Sequence, residues 1–303
     1  MAKKFEPKYV EVLGGYGYFD YPDGLRFNLG GEYTDPALRE DIASDGGKIG
    51  LSVIEEPGGW RTLEYLKGHD PEKPEGYAWE PVTRWDNYFF RSRAAQDTRQ
   101  RADEIEEFLY DVTEDMDEAE ILSIASGAGR DVMRVVADRL KEGRRVRGTC
   151  IDINNSAMEL AARIAHYMRV GDNVRLNRSS IIYLPRIEDP GSKDIVIAEG
   201  ILDYIKEERA KNFMKMVGGM MKPGGSAVLT NASTDFDDEP EGIRRIMETA
   251  GGWKLDYKDA DTMARIMEDS GFDGVDICPS SNGFYWFVSG KKSRVAEEAN
   301  QRA

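Results

Sequence analysis

The chain has 303 residues, a formal net charge of −15 and an isoelectric point near 4.8. That acidity argues against nucleic acid as a substrate, because phosphate-backbone binding relies on clustered Lys and Arg, and it favours a small molecule. Two cysteines, Cys150 and Cys278, support neither a disulfide framework nor a zinc cluster. The first residues carry no apolar signal region, and no apolar run nears the ~20 residues of a membrane span, so a soluble cytoplasmic protein is expected.

In chain order, residues 9–34 are rich in Gly and Tyr. Gly14-Gly15, Pro22-Asp-Gly24 and Gly30-Gly31 mark turns between short extended pieces. Pro57, Pro71, Pro74 and Pro81 predict little regular structure over 57–82. From Trp85 to Asp111 the pattern becomes helical, with Ala102, Ile105, Phe108 and Leu109 on one face. Aromatic residues crowd this first third: Tyr16, Tyr18, Phe19, Trp60, Tyr65, Tyr77, Trp79, Trp85, Tyr88, Phe89 and Phe90. They suit a lid over an apolar pocket, or equally the packing of an extension onto a core or a homodimer contact. The basic groups Arg91, Arg93, Arg99 and Arg101, and Arg144, Arg145 and Arg147, read as solvated surface charge.

From residue 118 onward apolar strands alternate with helical segments, the pattern of a parallel sheet buried on both faces. Ile121–Ile124 reads as a strand, Ala125-Ser-Gly-Ala-Gly129 as a tight turn and Asp131–Leu140 as a helix. Such a turn brings backbone N–H groups up to a ligand at the positive end of a helix dipole. Twenty-three residues beyond Gly129, the strand Cys150-Ile-Asp152 ends in an acid suited to a ribose diol. A nucleoside-containing cofactor follows. Val132 stands where the dinucleotide fingerprint has its third glycine, which argues against a nicotinamide enzyme. Further on, Asn173–Ser180 and Lys193–Tyr204 each combine a strand with a following turn. Phe213, Met216, Val217 and Met220 form the stripe of a helix packed on a sheet. Met221-Lys-Pro-Gly-Gly225 precedes a strand at Ser226–Thr230, and Gly274–Cys278 and Phe284–Val288 read as two strands joined like a hairpin.

These landmarks, in this order, resemble the class I S-adenosylmethionine-dependent methyltransferases. Gly127 and Gly129 match that family's Asp/Glu-x-Gly-x-Gly-x-Gly turn, whereas Ser123 replaces its acid and Ala125 its first glycine. The resemblance implies an α/β Rossmann-like three-layer sandwich whose mostly parallel seven-stranded sheet ends in an antiparallel strand, with an aromatic-rich N-terminal extension. The division expected is an extension over 1–110, a catalytic domain over 111–292 and a polar tail over 293–303. Ala125, Ser126, Gly127 and Gly129 would then approach the amino-acid end of S-adenosylmethionine. Asp152 would take the ribose hydroxyls, Ile153 or Asn154 would flank the adenine, and Ser180, with Ser179 beside it, would meet its amino group. Glu199 and Gly200, at the tip of the fourth strand, would face the reaction centre.

The implied reaction is in-line methyl transfer to a small-molecule O or N nucleophile, without a metal. Asp203 and Tyr204 are the catalytic candidates; as alternatives, Asp203 caps the helix starting near Lys206 and Tyr204 packs under it. His69 and His166 receive no role, and Arg91 or Arg93 is placed near the cofactor carboxylate by chain order alone. Aminopropyl or aminocarboxypropyl transfer on the same fold, and a non-catalytic cofactor- or partner-binding protein, stay open beside methyl transfer.

Overall fold

The computed structural model describes residues 34–294 except Tyr77, and in addition three N-terminal strands, β1 (Lys8–Val12), β2 (Tyr16–Asp20) and β3 (Arg26–Asn28). These strands form an antiparallel meander in which Lys8 pairs with Asp20 and Tyr18 with Asn28. The extended pieces expected there are present; the glycine turns between them and the tail from residue 295 lie outside the described residues.

Five helices follow: α1 (Pro36–Asp45), α2 (Lys48–Glu55), α3 (Trp60–Leu66), α4 (Arg84–Arg91) and α5 (Arg93–Thr113). The first amides of α2 are capped from a distance, because the buried Asp86 carboxylate accepts from Lys48, Ile49 and Gly50 N–H at 2.8, 2.8 and 3.1 Å. Helix α3 corrects the expectation of little structure over 57–82: Pro57 and Pro71 flank its seven residues without interrupting them. The single helix expected over 85–111 is two. Ser92 leaves the helical conformation at ψ 153°, and its hydroxyl caps α5 by accepting from Ala95 N–H.

The core unit is β4 (Glu118–Ile124), α6 (Arg130–Lys141), β5 (Arg145–Asp152), α7 (Asn155–Tyr167), β6 (Val174–Arg178), α8 (Leu184–Ile187), β7 (Lys193–Glu199), α9 (Glu207–Met220), β8 (Met221–Ala232), α10 (Ile243–Ile246), α11 (Ala260–Glu268), β9 (Phe272–Pro279) and β10 (Tyr285–Lys292). Its seven strands lie in the order β6-β5-β4-β7-β8-β10-β9. The first five run parallel, and β10 is antiparallel to both of its neighbours, β8 and β9. The Lys222–Gly225 turn appears as a break in register, since pairing jumps from Lys193–Met221 to Ile195–Ser226.

Alternation along the strands fills two cores. Ile121, Ile195 and Ile197 face α5, α6 and α7, whereas Leu122, Val196 and Ala198 face α8, α9 and α11. Ile105 and Leu109 place α5 in the first of these layers, so position 110 falls within a core helix. A third cluster joins α1–α4 to Phe236, Met247, Trp253, Phe284 and Tyr285. Among the described residues no helix is long and apolar enough to cross a membrane.

Candidate cofactor and acceptor site

The turn after β4 is held to the end of β5. Ala125, Gly127 and Gly129 all have positive φ, at 54°, 52° and 64°, which reverses the chain into α6 within five residues. Only Gly adopts this region without a steric cost, so Ala125 is strained. At Gly129 a β-carbon would lie 2.8 Å from Cys150 Sγ, and closeness to β5 therefore adds to the conformational demand for glycine. Ser126 N–H donates to Ile151 O at 3.0 Å, and Gly127 N–H donates to Asp152 Oδ2 at 2.8 Å. Asp152 Oδ1 accepts from Asn154 N–H at 2.8 Å. Asn154 in turn caps α7 through its Oδ1 and donates from Nδ2 to Glu56 Oε1 at 3.0 Å. Ser179 N–H donates to Asp152 O, which brings in the tip of β6. Burial raises the Asp152 carboxyl above its ordinary value, against the N–H groups that favour its ionised form.

At the tip of β7 the charges are paired. Glu199 lies 2.8 Å from Arg101 Nε of α5 and 3.3 Å from Lys67 Nζ, which follows α3. Lys67 also meets Asp131, in the first turn of α6, at 3.6 Å. Burial opposes ionisation of Glu199, but the two cations hold its carboxyl at about 2. At the first residue of α6, Arg130 meets Glu64 at 2.6 Å and donates to the carbonyls of Lys73 and Pro74. The Arg101 guanidinium stacks 4.4 Å from the Tyr285 ring centre.

Asp203 and Tyr204 sit in a short 3₁₀ turn after β7. Asp203 caps no helix: its Oδ1 accepts from Ala232 N–H at 2.6 Å, and the N-cap of α9 is Lys206. Its Oδ2 borders Gly200, where a β-carbon would sit 3.3 Å from that oxygen and from Arg101 Nη1. Burial raises the Asp203 carboxyl to about 6, against the Ala232 N–H and the Arg101 and Lys258 charges. The Tyr204 hydroxyl accepts from Trp253 Nε1 at 2.9 Å. Gly58 packs directly on this pair, and its φ of 71° is itself a glycine conformation.

A cavity of about 600 Å³ opens at these strand ends. Ala125, Ser126, Gly127, Gly129, Asp152, Ile153, Asn154, Ser179, Ser180, Glu199, Gly200, Asp203 and Tyr204 all line it. Arg91 and Arg93 do not. Arg91 is exposed, and Arg93 donates instead to the carbonyls of Asp237 and Glu239. Among the described residues two arginines do line the cavity, Arg130 at the start of α6 and Arg101, two turns further along α5 and 2% exposed, which also corrects the reading of Arg101 as surface charge. Sequence reasoning passed over Glu56, Lys67, Trp253 and Tyr285 as well. No short motif marks them, because each reaches the cavity by packing; the i+4 spacing of Arg101 with the core residue Ile105 was the one usable signal. Of the described aromatics in the first third, Trp60 lines the cavity. Tyr65, Trp79 and Phe90 stack on one another, as do Trp85, Tyr88 and Phe89. His166 lies on α7 away from the cavity, and His69 approaches Glu64 at 3.7 Å.

No protein-family model matches the chain, and the curated proteins give no match. Solved structures do resemble it. A Bordetella parapertussis protein described as a possible exported protein shares 15% identity over 87% of this chain and 90% of its own, with a TM-score of 0.69. The S-adenosylmethionine-dependent methyltransferase SibL shares 16% identity over 86% of this chain and 70% of its own, at 0.53. The [4+2]-cyclase SpnF shares 15% over 67% of this chain and 86% of its own, at 0.52. The chain therefore has a Rossmann-like fold of the methyltransferase type, with the mostly parallel seven-stranded sheet and antiparallel last strand of that class. At these identities the likeness concerns the fold, which hosts more than one chemistry.

Proposed function

We propose that the protein is an S-adenosylmethionine-dependent methyltransferase acting on a small-molecule O or N nucleophile. The observation that carries this reading is Asp152 at the tip of β5, lining the cavity beside the glycine turn. A carboxylate has about four lone-pair sites. Backbone N–H groups of Gly127, Asn154 and Ile153 draw on these, and the remaining capacity is for a vicinal diol. The residues present fit the cofactor: the turn carries no side chain at Gly127 and Gly129 and only small ones at Ala125, Ser126 and Ala128, Ile153 and Ser180 offer an apolar and a polar edge for a base, and Glu199 with Lys67 and Arg101 offers both signs of charge to an amino-acid group.

When bound, S-adenosylmethionine supplies an electrophilic methyl on a positive sulfur, so the chain's own task is positioning and exclusion of water. Asp203, buried and bordering Gly200, is the group placed to take a proton from the nucleophile. Tyr204 and Trp253 wall the same end of the cavity. The acidic surroundings of the cavity support a small-molecule acceptor over nucleic acid. Calorimetric titration of the full chain with S-adenosylhomocysteine tests the assignment. Micromolar binding is expected; a folded protein that binds neither this product nor S-adenosylmethionine would overturn it.

A further inference from the structure

The cavity has a marked charge bias. Among the described residues, seven carboxylates line it, from Glu55, Glu56, Glu64, Asp131, Asp152, Glu199 and Asp203, against three cations, Lys67, Arg101 and Arg130. Each cation already meets a carboxylate: Arg130 meets Glu64, Arg101 meets Glu199, and Lys67 lies between Asp131 and Glu199. With Lys67 and Arg101 given to the amino-acid group of the cofactor and Arg130 held by Glu64, the cavity offers no further positive group to an acceptor anion. A carboxylate or phosphate entering it would lose water and face charges of its own sign. Assigning Asp152 to a ribose and balancing the cofactor's single net positive charge still leaves carboxylates in excess.

The wall beyond the glycine turn is aromatic. Tyr204, Trp253 and Tyr285 line it, with the Arg101 guanidinium already on the Tyr285 ring and Trp60 against the turn at Gly127, and the packing of Gly58 on Tyr204 and Trp253 fixes the two rings that share a hydrogen bond. The negative faces of aromatic rings attract organic cations, most strongly where water is excluded. Asp203 Oδ2 lies at the same end, beside Gly200, with the other oxygen of the carboxylate held by Ala232 N–H. An aromatic wall with a fixed carboxylate at its base suits an ammonium group carried on an apolar body.

Building on the methyltransferase reading, we propose that the acceptor is an organic amine, bound as its cation between the Tyr204 and Trp253 wall and the Asp203 carboxylate, and that anionic acceptors are excluded. This narrows the nucleophile from oxygen or nitrogen to nitrogen. The ammonium gives one proton to that carboxylate, and the freed nitrogen lone pair forms the new N–CH3 bond as the cofactor's S–CH3 bond breaks. Asp203 sets the selectivity for charge, and the rings set the preference for a flat or apolar body.

The test uses the full chain loaded with S-adenosylhomocysteine and three probes of one shape and different charge: 2-phenylethylamine, 2-phenylethanol and phenylacetate. Binding is read calorimetrically at pH 7.5. The amine is expected to bind about tenfold or more tightly than the alcohol, with no measurable binding of phenylacetate. In Asp203→Asn, with unchanged affinity for S-adenosylhomocysteine as the sign of an intact fold, the preference of amine over alcohol should fall to within about threefold. Phenylacetate binding as tightly as the amine, or an alcohol preferred over the amine, would overturn the proposal while leaving the cofactor assignment standing. Failure of all three probes to bind would also count against it. Loss of S-adenosylhomocysteine binding in the wild type would instead remove the reading on which it rests. The comparison among probes on the wild type decides the matter even if the variant misfolds.

Discussion

Replacing Asp152 by Ala removes the acceptor that joins the glycine turn to the end of β5 and that, on the proposed function, holds the cofactor's ribose. A hydrogen bond to a charged group is worth about 1.5–3 kcal/mol, so losing two to a diol weakens binding by about 3–6 kcal/mol. At 1.4 kcal/mol per tenfold, the dissociation constant of S-adenosylhomocysteine should rise roughly a hundredfold or more. A second effect acts on the fold. Gly127 and Asn154 N–H lose their partner, at about 1–3 kcal/mol for each donor left buried and unpaired. Because Asp152 lines the cavity, water can reach these donors, and the cost should fall at the low end of that range. The assay is calorimetric titration of wild type and variant, with a thermal melt of each in parallel. A folded variant that binds S-adenosylhomocysteine within threefold of wild type would show that Asp152 is a structural clamp only, and the ribose assignment would be wrong.

Three further outcomes follow from the same contacts. Gly129→Ala forces a β-carbon to within 2.8 Å of Cys150 Sγ at φ 64°, and denaturant unfolding should show a loss of about 1–3 kcal/mol; an unchanged midpoint would mean that the turn relaxes freely. Glu199→Gln leaves Lys67 with Asp131 and Arg101 with Asp203 as the remaining near carboxylates, and removing one partner of a buried pair predicts a loss of about 3–5 kcal/mol, checked by chemical denaturation at pH 7. With Asp203 raised to about 6 in the free protein, it accepts protons when ionised, so kcat/KM for methyl transfer should fall about tenfold per pH unit below 6; a kcat/KM profile flat to pH 5 argues against it as the base. The linked stability term has the opposite sense: the folded value exceeds the unfolded one, so the contribution of Asp203 is fully present below about pH 4 and is lost as pH rises through 6.

What the sequence by itself determined lies in the segments where local chemistry and position coincide. Ile121 to Gly129 encodes its own strand and turn, because apolar residues buried on both sheet faces must be followed by residues that tolerate positive φ where the chain reverses into α6. Asp152 and Glu199 end two parallel strands, and ends of parallel strands gather at one edge whatever the rest of the chain does. The half of the cavity around the glycine turn and Asp152 was legible for that reason. Tertiary structure decided the other half. Helix α2 has its amides capped by Asp86, more than thirty residues away, so no local signal marks its start. Arg101 carries the same side chain as the exposed Arg91, and only the packing of α5 against the sheet turns it inward to Glu199. Tyr204, Trp253 and Gly58 meet through contacts distant in sequence, and the aromatic wall exists only once the N-terminal helices pack over the strand ends. Backbone conformation is written locally, whereas the neighbours that set the charge and shape of a pocket are chosen by how whole elements pack.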